Sequence, residues 1–340
     1  MDGCVYMKIS DFMSDESFDD IFNKESDDIN EQLNTEILIA MVGDVNAGKS
    51  STLNRLMQKN VAEVGAQPGE TKEVQKYYYR ENILFVDTPG LDDIYKEHSQ
   101  ETLNFYNEAD VILFFLNAAG TVLSDTELKS LNKVAALNKK IIIVLNKIDA
   151  ADDIPRLVNY ILEHTGFAYP VIPISSKTGE HMELLQKEIL QQLKEVNKDV
   201  LLAANMADKS SIAKRWILAS GASAAAIGAA PIPGADFVPL TALQVGLMLK
   251  LSTLYGKPIT KDHAKELIIA TVVGNIGKTA FRQIVKVIPG AGVVVAASVA
   301  GSMTVALGYA IKYMYEKDMD LTPETLKKVY RTFLKKEKEK

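Results

Sequence analysis

The densest chemical signal in the chain is Gly43-Asp44-Val45-Asn46-Ala47-Gly48-Lys49-Ser50, which fits the pattern of a phosphate-binding loop and directly follows an apolar run. Glycines in such a stretch let the backbone wrap so that successive N–H groups point at a phosphate. The lysine neutralises terminal phosphate oxygens, and the serine offers an oxygen to Mg²⁺. Asn46, Ala47, Gly48, Lys49, Ser50 and Ser51 are therefore the candidate phosphate-binding set.

Three further clusters follow in order. Asp87-Thr88-Pro89-Gly90 ends the run 83–86, which places the Asp87 carboxylate beside a Mg²⁺ shell and the Gly90 amide near a terminal phosphate. Asn146-Lys147-Ile148-Asp149 ends the run 141–145. A carboxylate there accepts hydrogen bonds from guanine N1–H and N2–H₂, which adenine does not present, so the base selected is guanine. Ser175-Ser176-Lys177 follows the last apolar run, where a backbone N–H can meet guanine O6.

The elements that hold these clusters are legible as well. Between residues 36 and about 200, continuous β-branched runs at 37–42, 83–86, 111–116, 141–145 and 171–174 alternate with longer helix-like stretches. Such runs read as strands buried on both faces, hence a mainly parallel, doubly wound α/β sheet with helices on either side. Residues 74–80 alternate more and are expected to form an edge strand.

Motif order and strand placement resemble the translation-factor-related P-loop GTPases, and within them the Era-like group, over residues 37 to about 195. The resemblance implies GTP or GDP as ligand, Mg²⁺ held by Ser50, Thr71 and Asp87, and GTP hydrolysis. It makes Thr71, in Pro68-Gly69-Glu70-Thr71-Lys72, the switch threonine. Lys49, Thr71, Gly90 and Asn46 form the catalytic set; Leu91 stands where many GTPases carry a water-orienting glutamine. In the subset with an apolar replacement, an asparagine matching Asn46 holds a potassium ion in place of an arginine finger. The alternative role for Asn46 is a hydrogen bond within the loop.

Composition bounds the rest. Charged residues make up 24% and hydrophobic ones 47%, which excludes wholesale disorder. Cys4 is the one cysteine, so neither a disulfide framework nor a multi-cysteine metal site is available, and a reducing compartment is expected. The acidic N-terminal residues do not read as a secretory signal. The expected location is cytoplasmic, or peripheral on the cytoplasmic face of a membrane.

The net charge of -6 conceals an asymmetry: residues 1–36 carry -9 and residues 209–340 carry +10. Residues 1–35 form an acidic, weakly amphipathic arm that either docks on the basic third or extends into solvent. Residues 216–235 and 287–311 hold no charge, and Ile-Pro-Gly-Ala occurs in each, at 232–235 and 288–291. This suggests an all-α bundle over 210–320 made of two hairpins, each turning at Pro-Gly, with 321–340 a charged helix or tail. The stretch from Pro231 through the following PLTALQVGLMLKLSTLYG resembles domain-of-unknown-function family 697, a helical module fused to Era-like GTPases.

Two membrane spans fit poorly, because the intervening lysines would lie outside. A helix from Trp216 to Ala230 would also reach only about 22 Å against a hydrocarbon core near 30 Å. Lys278, Arg282 and Lys286 share one helical face beside Val285 and Ile288, which suits either an anionic membrane interface or a solvated outer face. A rival is the Gly274-Asn275-Ile276-Gly277 stretch, which resembles the RNA-clamping loop of KH domains. Expected partners are a guanine nucleotide, an anionic membrane and a second G domain as a homodimer, with nucleic acid less favoured.

Overall fold

The computed structural model describes residues 15–57, 75–80, 82–87, 100–206, 208–228, 237–272, 299–326 and 328–329. Two compact units divide the chain, one of residues 32–208 and one of residues 1–31 with 209–340.

In the first unit the apolar runs form strands β1 (Ile37–Gly43), β3 (Ile83–Asp87), β4 (Val111–Asn117), β5 (Ile141–Asn146) and β6 (Val171–Pro173). With β2 (Gln75–Arg80) they make a six-stranded sheet of order β2-β3-β1-β4-β5-β6. All pairings are parallel except that of β2 with β3, so the alternating segment expected at the edge is there and runs antiparallel. β1, β4 and β5 are buried almost without interruption, as strands covered on both faces must be. The unit's helices are α2 (Lys49–Met57), α3 (Gln100–Glu108), α4 (Asp125–Leu137), α5 (Ile154–His164), α6 (Met182–Glu195) and α7 (Asp199–Asn205). A core including Val42, Phe114, Leu116, Leu131, Ile143 and Leu145 sits on one side of the sheet. Order and direction bring the ends of β1, β3, β5 and β6 to the same edge, where ligands bind in open α/β sheets.

In the second unit, α1 (Asp15–Asn34) lies in the acidic arm, with residues up to 31 belonging to this unit, together with α8 (Lys209–Gly228), α9 (Phe237–Tyr255), α10 (Lys261–Val272) and α11 (Val299–Glu316). The arm is not wholly solvated. Phe18 is 2% exposed and Ile29 is buried, Asp19 pairs with Lys261 at 2.5 Å, and the Lys265 ammonium lies 5.9 Å from the Phe18 ring centroid. Glu25 is half-buried near Lys250, and burial raises its carboxyl above the usual range. α8 begins at Lys209 rather than Trp216, so the longer helix gains Lys214 and Arg215 instead of apolar length.

α8 packs most extensively along α11, more so than along α9, which follows it in sequence. Small residues make the approach close: a Cβ on Gly308 would stand 2.6 Å from Ile217, and one on Gly228 would stand 2.8 Å from Ala300. Buried Lys312 is neutralised one turn along by Glu316 at 2.6 Å, which also accepts a hydrogen bond from Tyr255 at 3.0 Å. Among the described residues, Val238–Tyr255 of α9 is the one helix long and apolar enough to cross a membrane, and over half of it is buried in the protein. Both Pro-Gly turns, the stretch 273–278 and the basic face of Lys278, Arg282 and Lys286 lie outside the described residues.

Candidate nucleotide site

The loop after β1 holds the phosphate-binding residues. Asn46 takes a left-handed φ of +66°, a conformation asparagine tolerates better than most side chains, and is exposed. Ala47 is buried, and its N–H donates to the Asp44 carbonyl at 3.1 Å. Gly48 has φ +91°, and a Cβ there would lie 2.1 Å from the Asn146 amide nitrogen, so the loop closes onto the end of β5 only with glycine. Lys49, Ser50 and Ser51 form the first turn of α2, whose N-terminal N–H groups favour an anion.

Lys49 is buried, and its Nζ donates to the Gly43 carbonyl at 2.7 Å and the Asp44 carbonyl at 3.1 Å. Asp87, at the end of β3 and opposite Met41 of β1, places Oδ1 3.5 Å from Lys49 Nζ. That oxygen is buried and makes no hydrogen bond. Burial raises the Asp87 carboxyl to about 6, against the opposing pull of Lys49. A desolvated carboxylate oxygen without a donor, on the strand next to the phosphate loop, suits Mg²⁺, which takes one or two carboxylates and completes its shell with water and phosphate oxygens. Among the described residues no group of three or more His, Cys, Asp or Glu converges on a metal; of the three expected Mg²⁺ ligands, Ser50 and Asp87 are described. Thr71, Gly90 and Leu91 lie outside the described residues.

Asn146 joins three parts of the site. Fully buried, it donates through Nδ2 to the Ala47 carbonyl at 2.8 Å and to Ser176 Oγ at 3.2 Å. Its Oδ1 accepts from Lys147 N–H at 2.8 Å and Ser176 N–H at 3.0 Å. Lys147 follows in a left-handed turn that swings Asp149 toward the 175–177 loop. Asp149 Oδ1 accepts from the Ser175 hydroxyl at 2.6 Å, and Oδ2 lies 3.5 Å from Lys177 Nζ. Those two groups, Ser175 first, hold the Asp149 carboxyl below the usual range, so at neutral pH it is an ionised acceptor suited to a base edge that offers two donors.

The 175–179 loop uses most of its own donors internally. Ser175 N–H reaches the Glu180 carbonyl at 3.1 Å, Gly179 N–H reaches the Ser175 carbonyl at 2.8 Å, and Thr178 N–H reaches Ser175 Oγ at 3.0 Å. With Ser176 N–H on Asn146, the Lys177 N–H is the one in this loop with no partner among the described residues. One residue at the site was not apparent from motif spacing. Arg55, in the last turn of α2, donates to the Thr178 carbonyl at 2.7 Å. An arginine carries no signature at that position.

Fold and site together define a P-loop GTPase domain with Era- and MnmE-like homologues. Residues 38–147 match the model of the family described as 50S ribosome-binding GTPase. The chain is 33% identical over 171 residues to GTPase Era of Aquifex aeolicus, covering 46% of this chain and 56% of that protein. It is 31% identical over 172 residues to the tRNA modification GTPase MnmE of Thermotoga sp., covering 48% of this chain and 37% of that protein. The chain thus spans about half or less of the length of these relatives. Among solved structures, the G domain of the T. maritima FeoB iron transporter aligns at 25% identity and a TM-score of 0.35, over 46% of this chain and 98% of that domain.

Proposed function

We propose that the protein is a Mg²⁺-dependent nucleotide switch that hydrolyses GTP to GDP and phosphate and passes its nucleotide state to the C-terminal helical unit at an anionic membrane surface. The observation that carries the nucleotide half is the convergence of Lys49, Asp87, Asn146, Asp149 and the 175–177 loop on one edge of the sheet. The loop backbone and Lys49 bind and orient the phosphates, with Lys49 set against the charge that builds on the leaving oxygen. Ser50 and Asp87 would hold Mg²⁺, joined by Thr71; when bound, it neutralises phosphate charge. Asp149 and the Lys177 N–H orient the base. Leu91 cannot orient water, so the in-line water and the missing cation fall to other groups, and exposed Asn46 is the candidate holder of a potassium ion.

The membrane half is supported by the +10 charge of residues 209–340, the uncharged stretches and the likeness to family 697, read as a two-hairpin bundle. A second reading, an RNA- or ribosome-linked GTPase, is favoured by the match to the 50S ribosome-binding GTPase family and by the similarity to the tRNA modification GTPase MnmE. The test is phosphate release from GTP by the full chain in potassium and in sodium at equal ionic strength, with Lys49→Ala and Asn46→Ala alongside. Lys49→Ala should abolish turnover, and Asn46→Ala should erase the potassium advantage. Flotation with anionic vesicles, in parallel with recovery of bound nucleic acid, separates the two partner classes. Absence of turnover in either salt overturns the enzymatic reading.

A further inference from the structure

The phosphate and base halves of the site meet through Asn146 and also through α2. The helix that opens at Lys49 carries Arg55 in its last turn, and the Arg55 guanidinium lies against the loop backbone. Nη2 donates to the Thr178 carbonyl at 2.7 Å, and Nη1 makes a long contact of 3.5 Å with the Lys177 carbonyl. Gly179 completes the seat. Its φ is +92°, and a Cβ there would lie 2.2 Å from Nη2 and 2.9 Å from Cζ, so a side chain at 179 would evict the guanidinium.

The loop is therefore gripped from two sides. Asn146 takes the Ser176 N–H from β5, while Arg55 takes the carbonyls of the next two residues from α2. Between those grips stands the Lys177 peptide, whose N–H has no partner among the described residues. A planar guanidinium is suited to hold two adjacent carbonyls at once, because its donors are fixed in one plane.

We propose that Arg55 is a positioning residue for guanine recognition: by holding the Lys177 and Thr178 carbonyls from the phosphate-binding helix, it aims the Lys177 N–H at the 6-position of the base. This rests on the GTPase reading above and adds to it a residue remote from the nucleotide itself. It also gives a short mechanical route from the first turn of α2, at the phosphates, to the base loop.

The test separates the 6-position from the rest of the base. Binding of GTP, 6-thio-GTP and ITP to the full chain is measured for wild type, Arg55→Ala and Arg55→Lys. Sulfur at position 6 is the poorer acceptor, and ITP lacks the 2-amino group that faces Asp149. Arg55→Ala should narrow the preference for GTP over 6-thio-GTP by roughly three- to tenfold, the range of one neutral hydrogen bond, and leave the preference for GTP over ITP unchanged. Arg55→Lys, which keeps a cationic donor group but not the planar fork, should recover part of the loss. Arg55 is exposed, so thermal melts of the variants should stay near wild type.

A merely structural role would weaken all three nucleotides by one factor. That result, or an unchanged preference for GTP over 6-thio-GTP in Arg55→Ala, overturns the proposal. Failure of wild-type protein to bind GTP at all overturns the GTPase reading itself, and this assignment with it.

Discussion

Raising the pH from about 4 to about 7 should cost the nucleotide-free GTPase unit stability through a single carboxyl. Asp87 is 6% exposed, and its Oδ1 has only the 3.5 Å approach of Lys49 Nζ to offset the loss of water. Burial outweighs that ion pair and raises the folded-state pKa from 3.8 to about 6. Between those values the folded protein binds more protons than the unfolded chain, so stability is greatest below the unfolded value and is lost as pH rises through the folded one. A difference of about 2 pH units corresponds to about 3 kcal/mol. Asp87→Asn has no such titration. Because the unfolded carboxyl is already about half ionised at pH 4, the stability of the variant relative to wild type should grow by about 2 kcal/mol from pH 4 to pH 7, with most of the change below pH 6. The sole tryptophan, Trp216, lies in the other unit, so its fluorescence does not report this one. Amide exchange of β1 and β4 under increasing denaturant does, and intrinsic exchange rates cancel between the two proteins at each pH. Adding GDP and Mg²⁺ should remove the wild-type penalty, because a cation favours the ionised carboxylate. A difference that stays flat with pH, or falls, would refute the claim that desolvation outweighs the pairing with Lys49.

Asp149→Asn exchanges an acceptor for a donor opposite the base, so GTP affinity should fall by roughly 10- to 100-fold while xanthosine triphosphate gains, read by competition titration; equal losses for both would sink the assignment of Asp149 to the base edge. Phe18→Ala empties a buried aromatic site in the helical unit and should destabilise that unit by about 3–5 kcal/mol, read by Trp216 fluorescence in denaturant; a change under about 0.5 kcal/mol would mean that α1 does not stay docked in solution.

The nucleotide site was legible because its chemistry is local. Gly43 to Ser50 form one turn between a strand and a helix, and Asp87, Asn146 and Ser175 each stand at or just past the end of an apolar run. In a parallel sheet those ends share an edge, so recognising the strands is enough to converge residues more than a hundred positions apart. The antiparallel edge strand was readable for a related reason: half-exposed strands alternate, and exposure alternates along Lys76–Tyr79. Arg55 was not readable. Its acceptors are backbone carbonyls, which every residue has, and they lie 123 positions away.

The second unit shows the opposite case. Eight acids in α1 look like a solvated arm, because composition registers charge and not the partner that meets it. What fixes the helix is Phe18 together with Lys261 and Lys265, and the Asp19–Lys261 pair spans 242 positions. The repeated Ile-Pro-Gly-Ala pointed to hairpins of sequence neighbours, and α8 does pack on α9, but the more extensive packing of α8 along α11 was not apparent from the repeat. The reason is steric. Ala- and Gly-rich helices have no strong apolar stripe to specify a neighbour, so pairing is decided by where a missing side chain admits a bulky one, as Gly308 admits Ile217. Such complementarity exists only between two surfaces, and neither surface announces it alone.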